Sequence, residues 1–155
     1  MSKPIKGDKA PHFKGVNEMG VNISLDDFRG KKLILFFYPK DDTPGCTAAA
    51  CSLRDDYKKL SDQGFEMLGV SPDKPAKHKR FIEKYSFPFS LLADEEKVVL
   101  KAYGAWGRKK FMGREYDGVL RSTFIIDEEG KILEVIDKVK TKTHAAQIME
   151  ILGLD

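Results

Sequence analysis

Six consecutive apolar residues, Leu33 to Tyr38, form the longest unbroken hydrophobic run in the chain. A run of that length, with no alternation, predicts a central strand covered on both faces. Before it, two short alternating runs, Phe13 to Asn17 and Val21 to Leu25, flank Glu18-Met19-Gly20 and predict an N-terminal hairpin. From Thr47 to about Leu60 the period changes to helical, with Ala50, Leu53, Tyr57 and Leu60 on one face and Arg54, Asp55, Lys58 and Lys59 elsewhere. Gly64 ends that helix, and Phe65 to Val70 reads as the next strand, so strand, helix and strand form a βαβ unit with parallel strands. A second helix is expected from Ala76 to Tyr85, with Phe81, Ile82 and Tyr85 inward. A short strand follows at Phe89 to Leu92 and a third helix at Glu95 to Tyr103. Gly104 to Gly118 reads as a glycine-punctuated loop. The runs Thr123 to Ile126 and Ile132 to Ile136 flank Asp127-Glu128-Glu129-Gly130 as an antiparallel hairpin, and Thr143 to Leu152 closes the chain as an amphipathic helix. These elements predict an α/β fold with a mixed sheet, in one domain spanning 1–155.

Composition adds little to that picture. Lys and Arg exceed Asp and Glu by only three, with both signs interspersed. The most basic patch, Arg108-Lys109-Lys110 and Arg114, is broken by Phe111, Met112 and a glycine, so nucleic acid is not expected as a partner. The longest apolar run is far too short to span a membrane. Met1-Ser2-Lys3-Pro4-Ile5-Lys6 has no apolar signal-peptide core, so a reducing, cytoplasmic location is expected. In such a compartment a lone pair of cysteines points to reactive or simply reduced thiols rather than a structural staple.

Cys46 follows the central strand in Pro39-Lys40-Asp41-Asp42-Thr43-Pro44-Gly45-Cys46. Thr43 suits an N-cap, and Pro44 suits the first helical position. Cys46 then falls in the first turn, where its N–H has no partner in the helix and the dipole favours an anionic sulfur. The thiolate is the nucleophilic form. The site also lies at the carboxyl end of a strand, where open α/β sheets bind ligands. The alternative is an inert buried thiol, since Cys46 shares a helical face with Ala50 and Leu53.

Cys51 lies five residues on. Five residues along an ideal helix are about 140° apart around the axis and about 7.5 Å along it, placing their Cα atoms roughly 8–9 Å apart. A disulfide needs about 4.4–6.8 Å. Cys46 and Cys51 therefore cannot bond while the helix stays wound, and any reaction between them requires its start to unravel. Cys51 is expected on the wet face with Arg54, Asp55 and Lys58, where it could equally be an incidental thiol. Neither a Cys-x-x-Cys pair nor a zinc-ligand spacing is present. A cysteine hydrolase pairing Cys46 with His12, His78 or His144, a protein disulfide oxidoreductase, and a binding module with incidental thiols remain as rivals on these residues alone.

The segment Pro39-x-x-x-Thr43-x-x-Cys46 after an apolar strand resembles the peroxidatic-cysteine motif of peroxiredoxins. Phe36 to Thr47 with Cys51, together with Tyr103-Gly104-Ala105-Trp106-Gly107 and Arg121-Ser122-Thr123-Phe124-Ile125-Ile126-Asp127, is similar to the bacterioferritin comigratory protein (peroxiredoxin Q) branch. That resemblance extends over essentially the whole chain. It implies a thioredoxin-like fold with an N-terminal β-hairpin extension and a mixed central sheet flanked by helices. It also implies a thiol peroxidase acting on hydrogen peroxide and organic hydroperoxides.

In that reading Cys46 is the peroxidatic nucleophile, and Cys51 resolves its sulfenic acid through an intramolecular Cys46–Cys51 disulfide. Thioredoxin or a similar dithiol recycles the pair. Thr43 hydrogen-bonds the sulfur or the attacked oxygen, the Gly45 and Cys46 N–H groups bind the peroxide, Arg121 stabilises the charge, and Pro39 shields the sulfur from water. No flavin, haem or metal is required, and a monomer is expected. One departure stands out: family members often carry Glu or Gln two residues before the second cysteine, where this chain has Ala49 within Ala48-Ala49-Ala50. Alanine favours the wound helix, so slower disulfide formation is expected.

Overall fold

The computed structural model describes residues 3–154. The apolar run becomes β3 (Lys32–Phe37), which takes its place inside a seven-stranded sheet because neighbours cover it on both edges and both faces. The other strands of that sheet are β1 (Lys14–Asn17), β2 (Asn22–Ser24), β4 (Phe65–Ser71), β5 (Ser90–Ala93), β8 (Ser122–Ile126) and β9 (Ile132–Ile136), in the order β2-β1-β5-β4-β3-β8-β9. β3, β4 and β5 run parallel, while β8 lies antiparallel to β3, with Phe37 opposite Ser122 and Leu33 opposite Ile126. The predicted N-terminal hairpin forms and joins the main sheet, where β1 pairs with the edge of β5.

Among the described residues five α-helices accompany the sheet: α1 (Pro44–Asp55), α2 (Tyr57–Asp62), α3 (Pro75–Tyr85), α4 (Val98–Ala102) and α5 (His144–Leu152). Alternate residues of β3 feed two cores. Ile34, Phe36 and Tyr38 pack with Cys46, Leu53, Phe81 and Ile148 on one face. Leu33, Leu35 and Phe37 pack with Leu68, Leu100, Tyr103 and Phe124 on the other. The sheet is mixed, parallel through β3, β4 and β5 and antiparallel at β8 and β9, as the sequence reading expects.

Four expectations need correction. The stretch expected as a loop between Gly104 and Gly118 contains a two-stranded hairpin, β6 (Trp106–Phe111) and β7 (Arg114–Val119). Its turn is Met112-Gly113, both at positive φ, the twist-matched geometry of two-residue hairpins. Both strands are largely exposed and polar, so they lack the apolar alternation that would have announced them. The long helix expected to about Leu60 breaks at Asp56 into α1 and α2, and the helix expected from Glu95 is only the short α4. Cys51 does not sit on the wet face; it is half-buried and packs against the core that holds Cys46.

Candidate active site

The crossover from β3 into α1 builds the site. Tyr38 continues the strand ladder, its N–H donating to the Val70 carbonyl, and the chain then turns through Pro39 to Asp42. Asp42 adopts a left-handed φ of 58° that redirects the backbone into α1, and its carboxylate accepts from Lys84 Nζ and the Tyr85 hydroxyl. Those partners hold the exposed carboxyl below its usual range, the Lys84 hydrogen bond most strongly. Pro39 is half-buried at the end of the strand.

Thr43 stands at the N-cap with extended backbone angles and Pro44 opens the helix, as the sequence predicts. The Thr43 side chain does not cap, however. Its hydroxyl donates to the Lys40 carbonyl at 2.9 Å. Its only proton is committed there, and an acceptor lone pair remains for the hydrogen bond expected with the attacked oxygen. The first helical bond runs from Thr47 N–H to the Thr43 carbonyl. Gly45 and Cys46 therefore present N–H groups with neither an intrahelical partner nor a cap from Thr43.

Cys46 Sγ is almost enclosed, with the residue 3 % exposed. Arg121 Nη2 donates to it at 3.2 Å. The topology explains how a residue 75 positions away arrives there. β3 ends where β8 begins, because the two are antiparallel neighbours, and Arg121 immediately precedes β8. A methyl group at Gly45 would come within 3.4 Å of the guanidinium, so glycine leaves the mouth of the site open. Burial pushes the Cys51 thiol up, partly offset by Arg54. Both cysteines are free and share one twelve-residue helix, so the geometric bar to direct pairing holds.

None of the three histidines is a partner for Cys46 among the described residues. His12 is exposed and lines a cavity of about 430 Å³ at the opposite end of β3, beside Leu33 and Ile126, away from the thiol. His78 is fully buried, with Nδ1 at 2.6 Å from Asp41 Oδ2 and Nε2 at 3.0 Å from the Leu92 carbonyl. His144 is buried between Thr123 Oγ1 at 2.9 Å and the Ala49 carbonyl at 3.4 Å. Burial lowers His144 to about 4, with the Arg121 charge adding to the effect, so the neutral ring donates to Ala49 and accepts from Thr123. The Cys–His hydrolase reading thus lacks its base.

Sequence reasoning did not identify the roles of Tyr38, Asp41, His78 or His144. A signal for His78 was present: it shares its helical face with Phe81, Ile82 and Tyr85 at the i, i+3, i+4, i+7 spacing of a buried stripe.

Residues 6–135 match the AhpC/TSA family. The chain is 49% identical over 146 residues to a putative peroxiredoxin bcp of Haemophilus influenzae, covering 94% of each. It is 47% identical over 142 residues to peroxiredoxin Bcp of Escherichia coli K12, covering 91% of each. A solved structure of the Xanthomonas campestris bacterioferritin comigratory protein, described for its alkyl peroxide reduction activity, superposes with a TM-score of 0.87 at 28% identity over 98% of each chain.

Proposed function

We propose, for a chain that belongs to the AhpC/TSA family and within it to the Bcp branch of peroxiredoxins, a thiol peroxidase chemistry carried by Cys46. The observation that most supports this assignment is the Arg121 guanidinium at 3.2 Å from the Cys46 sulfur at the first turn of α1. A full positive charge and an adjacent helix N-terminus both favour the anionic nucleophile.

The thiolate attacks the nearer oxygen of a hydroperoxide. An S–O bond forms and the O–O bond breaks; the departing hydroxide or alkoxide takes a proton from solvent and leaves as water or an alcohol, with Cys46 left as a sulfenic acid. Gly45 and Cys46 N–H groups donate to the oxygens, whose negative charge grows in the transition state. Arg121 donates to the sulfur and the departing oxygen. Thr43, its proton held by Lys40, accepts the peroxide O–H and so aligns the substrate. Pro39 has no N–H to attract water and forms a rigid wall beside the sulfur.

The first turns of α1 then unwind, and the Cys51 thiol displaces the sulfenic oxygen, forming the Cys46–Cys51 disulfide and releasing water. Thioredoxin or a similar dithiol attacks Cys51, the less buried sulfur, restores both thiols and leaves oxidised itself. The substrates are hydrogen peroxide and organic hydroperoxides, and the electrons stay on sulfur throughout. The protein acts as a single-domain monomer in the cytoplasm; among the described residues no helix is long and apolar enough to cross a membrane.

Peroxide consumption by two variants tests this reading. Cys46→Ser is expected to consume none, and retained consumption overturns the assignment. Cys51→Ser is expected to consume one equivalent and stall with thioredoxin, and undiminished turnover would remove Cys51 from the resolving role.

A further inference from the structure

We propose that the buried Asp41–His78 pair, with Tyr38, is a fixed anchor that positions Thr43 through the Lys40 carbonyl and stays folded while α1 unwinds. This anchor rests on the thiol-peroxidase reading of Cys46 and assigns positioning roles to residues outside it.

Asp41 lies inside the loop that carries Pro39 and Thr43, yet it is only 2 % exposed. Its two carboxylate oxygens are divided between two elements. Oδ1 accepts from the Tyr38 hydroxyl at 2.6 Å, and Oδ2 accepts from His78 Nδ1 on α3 at 2.6 Å. The far ring nitrogen of His78 donates to the Leu92 carbonyl on β5 at 3.0 Å. The Leu92 carbonyl can only accept, so the far nitrogen carries a proton, and the near nitrogen shares one hydrogen bond with Asp41 Oδ2. Burial and the Asp41 charge push Tyr38 well up, which keeps its hydroxyl a donor.

The backbone of Asp41 is held as well. Its N–H donates to Asp73 Oδ2 at 2.7 Å, and Asp73 is itself fixed by Ser71 and Lys77. That N–H and the Lys40 carbonyl belong to one planar trans peptide unit and point in opposite directions. Fixing the N–H on Asp73 therefore aims the carbonyl away from Asp73, and there it accepts the Thr43 hydroxyl. The chain of contacts from His78 to Thr43 is complete, with each link a hydrogen bond or a shared peptide plane. Asp41, Asp73 and His78 also bring ligand atoms within 4.8 Å of one another, but the bonds just described already use them.

A buried acid–base pair contributes little stability over apolar residues of similar volume, so geometry is the better account of this one. It sets the boundary of the conformational change. Asp41 and Asp42 are both tied to α3, Asp42 through Lys84 and Tyr85, whereas Thr43 onward leads into the helix that must open. The hinge falls after Asp42.

The test separates the two chemical steps. In a Cys51→Ser background, where oxidation halts at the sulfenic acid, the second-order rate of Cys46 with hydrogen peroxide is measured for Asp41→Ala/His78→Leu and for Tyr38→Phe. The double variant removes both partners of the buried pair together and leaves neither facing the other's vacant place. It is expected to react ~10- to 100-fold more slowly, the scale of a misplaced catalytic contact, with a smaller loss for Tyr38→Phe. With Cys51 intact, the disulfide-forming step of the oxidised double variant is expected not to slow. A folded double variant that matches its parent in the first step overturns the proposal.

Hydrogen exchange on the unmodified protein gives a reading that does not depend on any variant. After one equivalent of peroxide, the Tyr38 and Asp41 amides are expected to stay protected while α1 from Thr47 to Cys51 loses protection. Opening of both segments together overturns the anchor. If the unmodified protein forms no sulfenic acid or disulfide, the peroxidase reading falls and takes the anchor with it. If that chemistry proceeds and only the anchor tests fail, the peroxidase reading stands.

Discussion

Arg121→Gln removes the cation beside Cys46 while keeping a polar side chain of similar reach. The guanidinium nitrogen is 3.2 Å from the sulfur. At that separation two unit charges interact by about 5 kcal/mol at an effective dielectric of about 20. Arg121 is half-buried, and solvent takes back part of that attraction. The net value of a hydrogen bond to a charged group, about 1.5–3 kcal/mol, is the better guide. If that interaction acts in the transition state, its loss slows the first step by roughly 10- to 150-fold. The assay is the second-order rate of Cys46 oxidation in the Cys51→Ser background, with thermal unfolding as a check on the fold. Arg121→Lys should recover part of the rate, because it restores the charge without the planar fork. A rate for Arg121→Gln within about threefold of the parent, in a folded protein, would refute this use of the arginine.

Two further predictions concern stability. His144 is lowered to about 4 in the folded protein against an ordinary value near 6.5, so the unfolded chain takes up the proton first as pH falls. Its contribution is therefore fully present above about pH 6.5, declines as the pH drops toward 4, and amounts to about 3 kcal/mol across that window. Urea unfolding of the parent and of His144→Gln at several pH values checks this; parallel pH profiles would contradict it. Gly69→Ala in β4 would place a methyl group 2.6 Å from Leu91 Cδ2 and 2.7 Å from Phe36 Cζ. Overpacking of that kind should cost about 1–3 kcal/mol in chemical denaturation, and an unchanged midpoint would show that the two side chains yield freely.

The parts of the site legible in the sequence are those whose partners are local. Thr43, Pro44, Gly45 and Cys46 announce a helix start because capping chemistry is written into adjacent residues, and the strand before them is announced by its unbroken apolar run. The bar to direct Cys46–Cys51 pairing follows from helix geometry alone. Arg121 was reached only through family resemblance, because its position depends on β8 lying antiparallel beside β3, a pairing no local pattern encodes. Asp41 and His78 are 37 residues apart and meet only once α3 packs over the loop. The β6–β7 hairpin was missed because its two strands face mostly solvent and bury no alternating stripe.

The Thr43 hydroxyl shows where local reading stops. Its place at the helix start follows from the sequence, but its direction depends on the Lys40 carbonyl, which is set by Asp73. The Ala48-Ala49-Ala50 segment carries a related lesson. Its high helix propensity favours the wound state, and the structure adds tertiary contacts to it, with Ala145 N–H donating to Ser52 Oγ and His144 facing the Ala49 carbonyl. Unwinding α1 must break these contacts as well as the helix itself.

The most direct test of the central claim is to add one equivalent of hydrogen peroxide to the reduced protein at low concentration, quench, and map the thiols by mass spectrometry. The account predicts rapid loss of both thiols in the same chain, one Cys46–Cys51 disulfide, and no covalent dimer, with circular dichroism losing helix signal in step. An unreacted Cys46, or a disulfide that links two chains, would contradict it.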